Sequence, residues 1–80
     1  MKIILIDNME KGRYRHYKGG EYEVIDFGVF EPTLEEVVIY RQLYDSDEYP
    51  SGTVWVRPKK VFEEKIEVEG EKVMRFEKIK

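Results

Sequence analysis

The spacing of turn formers constrains this chain more than any other feature. Gly19-Gly20, Gly28, Pro32, Pro50-Ser51-Gly52, Pro58 and Gly70 punctuate eighty residues and leave mostly short stretches between them. A strand needs only about five or six residues, whereas an average helix takes about eleven. The pattern predicts an all-β domain of about five to six short strands in series, with one core and no second domain.

The segments can be placed individually. Ile3 to Ile6 reads as a short strand, followed by a polar connector from Asn8 to Gly12. Arg13 to Lys18 and Glu21 to Phe27 flank Gly19-Gly20, a pair suited to a type I′ turn because both central positions need positive φ. Counting outward puts Lys18 opposite Glu21, Tyr17 opposite Tyr22, His16 opposite Glu23 and Arg13 opposite Asp26. Apolar parity then shifts from Tyr22 and Val24 to Ile25 and Phe27, and Gly28 follows, which suggests a bulge.

Residues 36–44 carry two signals. Thr33-Leu34-Glu35-Glu36 fits a capping box, with Leu34, Val37, Val38 and Arg41 at helical spacing. Val37-Val38-Ile39-Tyr40 is a β-branched and aromatic run, which favours a strand entered through a turn at Glu31 to Leu34. After an acidic loop from Asp45 to Gly52, Thr53 to Arg57 reads as a strand stopped by Pro58. Pro58 to Phe62 suits one helical turn. Ile66 and Val68 alternate with Glu67 and Glu69, and Gly70 turns the chain into Val73 to Ile79. This order suits an SH3-like barrel, closed or half-open, which limits exposed sheet edges.

Composition removes several function classes. There is no cysteine, hence no disulfide, thiolate nucleophile or Cys-based zinc site. Charged residues make up 39%, while Asn8 and Gln42 are the only amides, a usage that resembles heat-adapted, thermostable proteins. The apolar run at residues 3–6 is too short for a signal peptide or membrane span, so the expectation is a cytoplasmic protein with no membrane partner. A net charge of −3 gives the whole molecule no general attraction to nucleic acid.

Candidate chemistry is sparse. His16 is the sole histidine, and with Glu23 it would make at most a small hydrolase, the least favoured reading, since no Ser or Cys stands near it in sequence. Asp45, Asp47 and Glu48 cluster, yet a calcium loop needs more ligands and a fixed glycine. No cofactor or metal is therefore expected. Lys11, Arg13, Arg15 and Lys18, interleaved with Tyr14 and Tyr17, form the basic–aromatic mixture that single-stranded nucleic acid favours. The register above neutralises most of it and leaves Arg15 without an acidic partner.

A second constellation follows from strand parity. If Val54 and Val56 share a core face with Leu43, Ile39 and Val37, then Tyr40, Gln42, Tyr44, Thr53, Trp55 and Arg57 lie together on the opposite face. Rings around a guanidinium make a platform for a peptide segment or small anionic metabolite. The competing explanation is that the amino-terminal strand or another subunit of a homo-oligomer covers this face. The favoured reading is a non-catalytic binding module using Tyr40, Trp55, Arg57, Gln42 and Tyr44. The alternative is a single-strand binder using Arg13, Arg15 and Lys18.

The run Gly12-Arg13-Tyr14-Arg15-His16-Tyr17-Lys18-Gly19-Gly20, followed by Tyr22-Glu23-Val24, resembles the opening of a small bacterial family catalogued as domain of unknown function 1653. Thr33-Leu34-Glu35-Glu36-Val37-Val38-Ile39-Tyr40-Arg41, Leu43-Tyr44, Trp55-Val56-Arg57-Pro58 and Phe62 continue the resemblance in order. It departs at Phe30-Glu31-Pro32, where that family usually shows His-Ser-Glu, and in a longer loop before Trp55. The resemblance carries no established activity with it.

Overall fold

The computed structural model describes residues 9–79. Along them run β1 (Gly12–His16), β2 (Glu21–Phe30), β3 (Glu35–Gln42), β4 (Val54–Pro58), α1 (Lys59–Phe62), β5 (Lys65–Val68), β6 (Glu71–Met74) and β7 (Phe76–Lys78). Five strands form an antiparallel sheet in the order β4-β3-β2-β1-β7, and β5 pairs with β6 as a separate hairpin. The fold is all-β with open sheets: among the described residues β4 and β7 do not join, so the barrel is half-open and not closed. The strand expected at Ile3 to Ile6 lies outside the described residues.

Residues 35–42 form a strand. Thr33 does not cap a helix; its Oγ1 accepts the Glu35 N–H at 3.3 Å and closes a turn. Leu34 sits there at φ 62°, the left-handed region that reverses the chain into β3. The β-branched run then pairs with β2 on one side and β4 on the other. The bulge suggested by apolar parity is present: register shifts between Val24 and Asp26, which leaves Ile25 as the extra residue. Val24 and Phe27 thereby reach the same face despite their odd spacing.

Two expectations need correction. The first hairpin pairs Arg15 with Glu21, Tyr14 with Tyr22, Arg13 with Glu23 and Gly12 with Val24, three positions from the expected register. Gly19-Gly20 is not a two-residue turn. The chain loops from His16 to Gly20, closed by His16 N–H to Gly20 O and Gly19 N–H to His16 O, each 2.7 Å. A slip by an odd number exchanges faces, so Tyr14 turns inward and is buried. The second correction concerns β3 and β4. Their two faces are composed as expected, and Val37 is buried as expected, but along the rest of the pair inside and outside are exchanged. Val54 and Val56 are 52% and 59% exposed, whereas Tyr40 and Gln42 are 3% and 2% exposed.

The aromatic face is therefore the core. Tyr14, Val24, Val38, Tyr40, Phe62 and Phe76 form its buried cluster, with Tyr22, Phe27 and Trp55 packed around it. Phe62 stacks on Phe76 at 4.1 Å between centroids. Phe76 also meets Tyr40 edge-on at 5.6 Å, although β2 and β1 lie between their strands. In a flat sheet strands three apart stand about 14 Å away, so the sheet curls until its inner face closes on itself. Burying each such large side chain contributes roughly 1.5–3 kcal/mol. Rings fill this curl better than valines, which explains the inversion.

Candidate functional site

At the rim of the curl the core acquires polar groups. Arg57, paired with Val38, projects over the inner face with its Cζ 5.4 Å from the Phe76 ring centre. Its Nε donates to the Tyr40 hydroxyl at 3.1 Å. Among the described residues no carboxylate stands within ion-pairing distance of Arg57. Among the described residues the remaining guanidinium hydrogens and the Tyr40 hydroxyl hydrogen have no acceptor. Burial raises the Tyr40 pKa, although the Arg57 hydrogen bond and charge pull the other way, so Tyr40 remains a neutral donor at ordinary pH.

Three more side chains complete the rim. Tyr22 packs edge-on against Tyr40 at 5.4 Å, and its hydroxyl lies 2.7 Å from that of Tyr44. Burial, followed by the hydrogen bond to Tyr44, pushes the Tyr22 pKa up, so Tyr22 also stays uncharged. The Tyr44 ring reaches Tyr22 by lying against Gly20: a Cβ there would stand 2.6 Å from Tyr44 Cε1. His16 contacts Phe76 edge-on at 4.9 Å, and its Nδ1 accepts the Lys18 N–H. A neutral His16 ring therefore carries its proton on Nε2. Desolvation lowers its pKa, and the charges of Arg57, Arg75 and Lys18 lower it further.

Gln42 organises the adjoining loop. Its Nε2 donates to the backbone oxygens of Tyr44 at 2.8 Å and Tyr49 at 3.0 Å, while its Oε1 accepts the Trp55 indole N–H at 3.1 Å. Tyr49 packs edge-on against Trp55 at 4.7 Å. Of the residues singled out from sequence, Tyr40 and Arg57 meet directly, and Trp55 and Tyr44 meet through Gln42. Tyr40 and Gln42 are too buried to form an exposed platform; they support the rim from beneath. Sequence reasoning set His16 beside Glu23 and did not bring Tyr22 or Phe76 to this site, because the β1–β2 and β1–β7 registers decide which face they occupy.

The other candidates are scattered. Arg15 has an acidic partner after all, Glu21 at 3.3 Å. Asp26 forms an ion pair with Lys11 at 3.8 Å instead of facing Arg13, while Arg13 and Lys18 are exposed. His16 stands opposite Phe76, and Glu23 pairs with Arg41 at 3.7 Å, so the His16–Glu23 pair does not form. Among the described residues no three His, Asp or Glu side chains converge as metal ligands would. No described helix is long and apolar enough to cross a membrane.

The family described as "Protein of unknown function (DUF1653)" matches residues 12–78. A crystal structure of a DUF1653 protein from Bordetella bronchiseptica superposes with a TM-score of 0.81 at 27% identity, covering 94% of this chain and 92% of that one. None of the curated proteins matches the chain.

Proposed function

The chain belongs to the DUF1653 family, and from the rim geometry we propose that it is a non-catalytic binding module for an anionic group. The group is a carboxylate or phosphate carried by a peptide segment or a small metabolite. One observation carries this reading: Arg57 is half-buried, over an aromatic ring, and among the described residues its one hydrogen-bond partner is a tyrosine hydroxyl. Taking a cation partly out of water is costly unless an anion joins it. Arg57 offers the fork that suits planar or tetrahedral oxyanions, and Tyr40 adds a neutral donor beside it. Tyr22, Tyr44 and His16 supply a rim without negative charge to compete with the guest. Arg13 and Lys18, exposed and without an ion-pair partner among the described residues, support a second reading, attraction of a single nucleic-acid strand.

An anion on Arg57 offsets the charge that depresses the His16 pKa. Titrating inorganic phosphate, and separately acetate, at constant ionic strength should therefore raise the His16 pKa in NMR spectra, saturably, with chloride as the control. Arg57→Gln should abolish that response. An unchanged His16 pKa at saturating concentrations of both probes would refute the reading. Submicromolar binding of a single-stranded oligonucleotide, lost in Arg13→Ala/Lys18→Ala, would favour the second one.

A further inference from the structure

The free edge of β4 is the least protected feature of the described molecule. β4 ends the sheet, and its pairing with β3 runs without a shift from Arg41↔Val54 to Val37↔Pro58. Gln42 N–H donates to Thr53 O at 2.8 Å. In an antiparallel ladder directly opposed pairs alternate between bonded and non-bonded. Trp55 and Arg57 therefore direct their backbone groups to β3, and the N–H and C=O groups of Val54 and Val56 point away from the sheet. The side chains of both valines are more than half exposed on the outer face. Natural edges are usually blunted by charge, proline or a bulge. Within β4 proline comes only at the last position, Pro58, and the outer-face positions before it hold valine.

We infer that β4 pairs antiparallel with β4 of a second copy, about a twofold axis at Trp55. This register places Val54 opposite Val56 of the second copy and Val56 opposite its Val54. All the outward backbone groups of those residues then find partners, and valine meets valine across the junction. Such self-complementarity is what a twofold contact requires, because each residue must suit the same patch on its mate.

Charge favours a second copy as the occupant. Antiparallel pairing lays the end of β4 that leads into Lys59 and Lys60 beside the other copy's loop 45–52. That loop carries Asp45, Asp47 and Glu48, and none has a cationic partner among the described residues. The Lys60 side chain is 80% exposed, and its ion pair with Glu35 at 3.5 Å is a solvent-exposed contact that the loop carboxylates can replace. One short strand pair buries less than the interface of a permanent dimer, so the association is reversible and depends on concentration.

Sedimentation equilibrium of the full chain tests this. Its mass should rise from 9.7 kDa toward twice that value as concentration increases. Val56→Pro removes an N–H that β3 does not use, at a position where an edge strand tolerates proline. It should leave the circular dichroism unchanged and weaken self-association roughly tenfold or more, since one hydrogen bond per copy is lost. Val54→Lys, which keeps every backbone donor, should weaken it as well by setting a charge opposite a valine. A 9.7 kDa species at every concentration overturns the proposal. So does a dimer that both variants leave intact, because its contact would then lie elsewhere.

Discussion

Replacing Gln42 with leucine tests whether the loop that carries Tyr44 is held by one side chain. Gln42 is 2% exposed and joins three groups: the carbonyls of Tyr44 and Tyr49 and the indole N–H of Trp55. Leucine has similar volume, so the change removes hydrogen bonds with little loss of packing. A buried group left without its partner costs about 1–3 kcal/mol, and loop carbonyls that regain water cost less. Counting the indole in full and the carbonyls in part gives a loss of about 3 kcal/mol. A domain of eighty residues has a total stability of roughly 4–12 kcal/mol, so this fraction is easily measured. Urea denaturation followed by Trp55 fluorescence should show the midpoint falling with the slope unchanged. A loss below about 0.5 kcal/mol, typical of surface substitutions, would mean the loop is ordered by something else.

Two further outcomes follow from the rim. The folded pKa of His16 should lie below its ordinary value of 6.5, and Arg57→Gln should raise it. Between the folded and unfolded values the unfolded chain holds more protons, so stability falls as pH drops through 6.5 and levels off below the folded value. A folded pKa above 6.5 by NMR titration would contradict the burial and charge assigned to the ring. Gly20→Ala should push the half-exposed end of the Tyr44 ring away, break its bond to Tyr22 and destabilise the fold by about 0.5–1.5 kcal/mol, the worth of one hydrogen bond. Ultraviolet titration should then show the Tyr22 hydroxyl ionising at lower pH than in the parent.

Local chemistry made the elements legible. Val37-Val38-Ile39-Tyr40 outweighed a capping-box pattern because branched and aromatic side chains pack on a pleated sheet, and Thr33 found a turn donor instead. The shift between Val24 and Phe27 revealed the bulge, since parity is a property of the chain itself. What was not legible depended on distant partners. Gly20 looks like half of a hairpin turn, yet its missing side chain accommodates Tyr44, twenty-four positions later. A two-residue turn at Gly19-Gly20 would shift the register by three positions and take His16 and Tyr22 away from Arg57. The faces of β3 and β4 were sorted correctly and then inverted, because only Phe62 and Phe76, arriving from later in the chain, decide which side becomes interior.

The departure at Phe30-Glu31-Pro32 bears on the candidate site through the same parity. Phe30 pairs with Glu35 and Gly28 with Val37, so Phe30 and Gly28 share the face of Val37, Ile39 and Val56. A Cβ at Gly28 would meet Val37 at 3.6 Å and Ile39 at 3.7 Å, which places these side chains over the outer surface. Arg57, Tyr40 and Tyr22 occupy the other side, with the curled sheet between. The segment 31–34 closes the turn end of the β2–β3 hairpin, whereas Tyr22 and Gln42 pair at its opposite end, roughly 26 Å away along the strands. A histidine at the departing positions could not reach the Tyr22–Tyr44 part of the rim from either location. The departure therefore leaves the Tyr22–Tyr44 part of the rim intact.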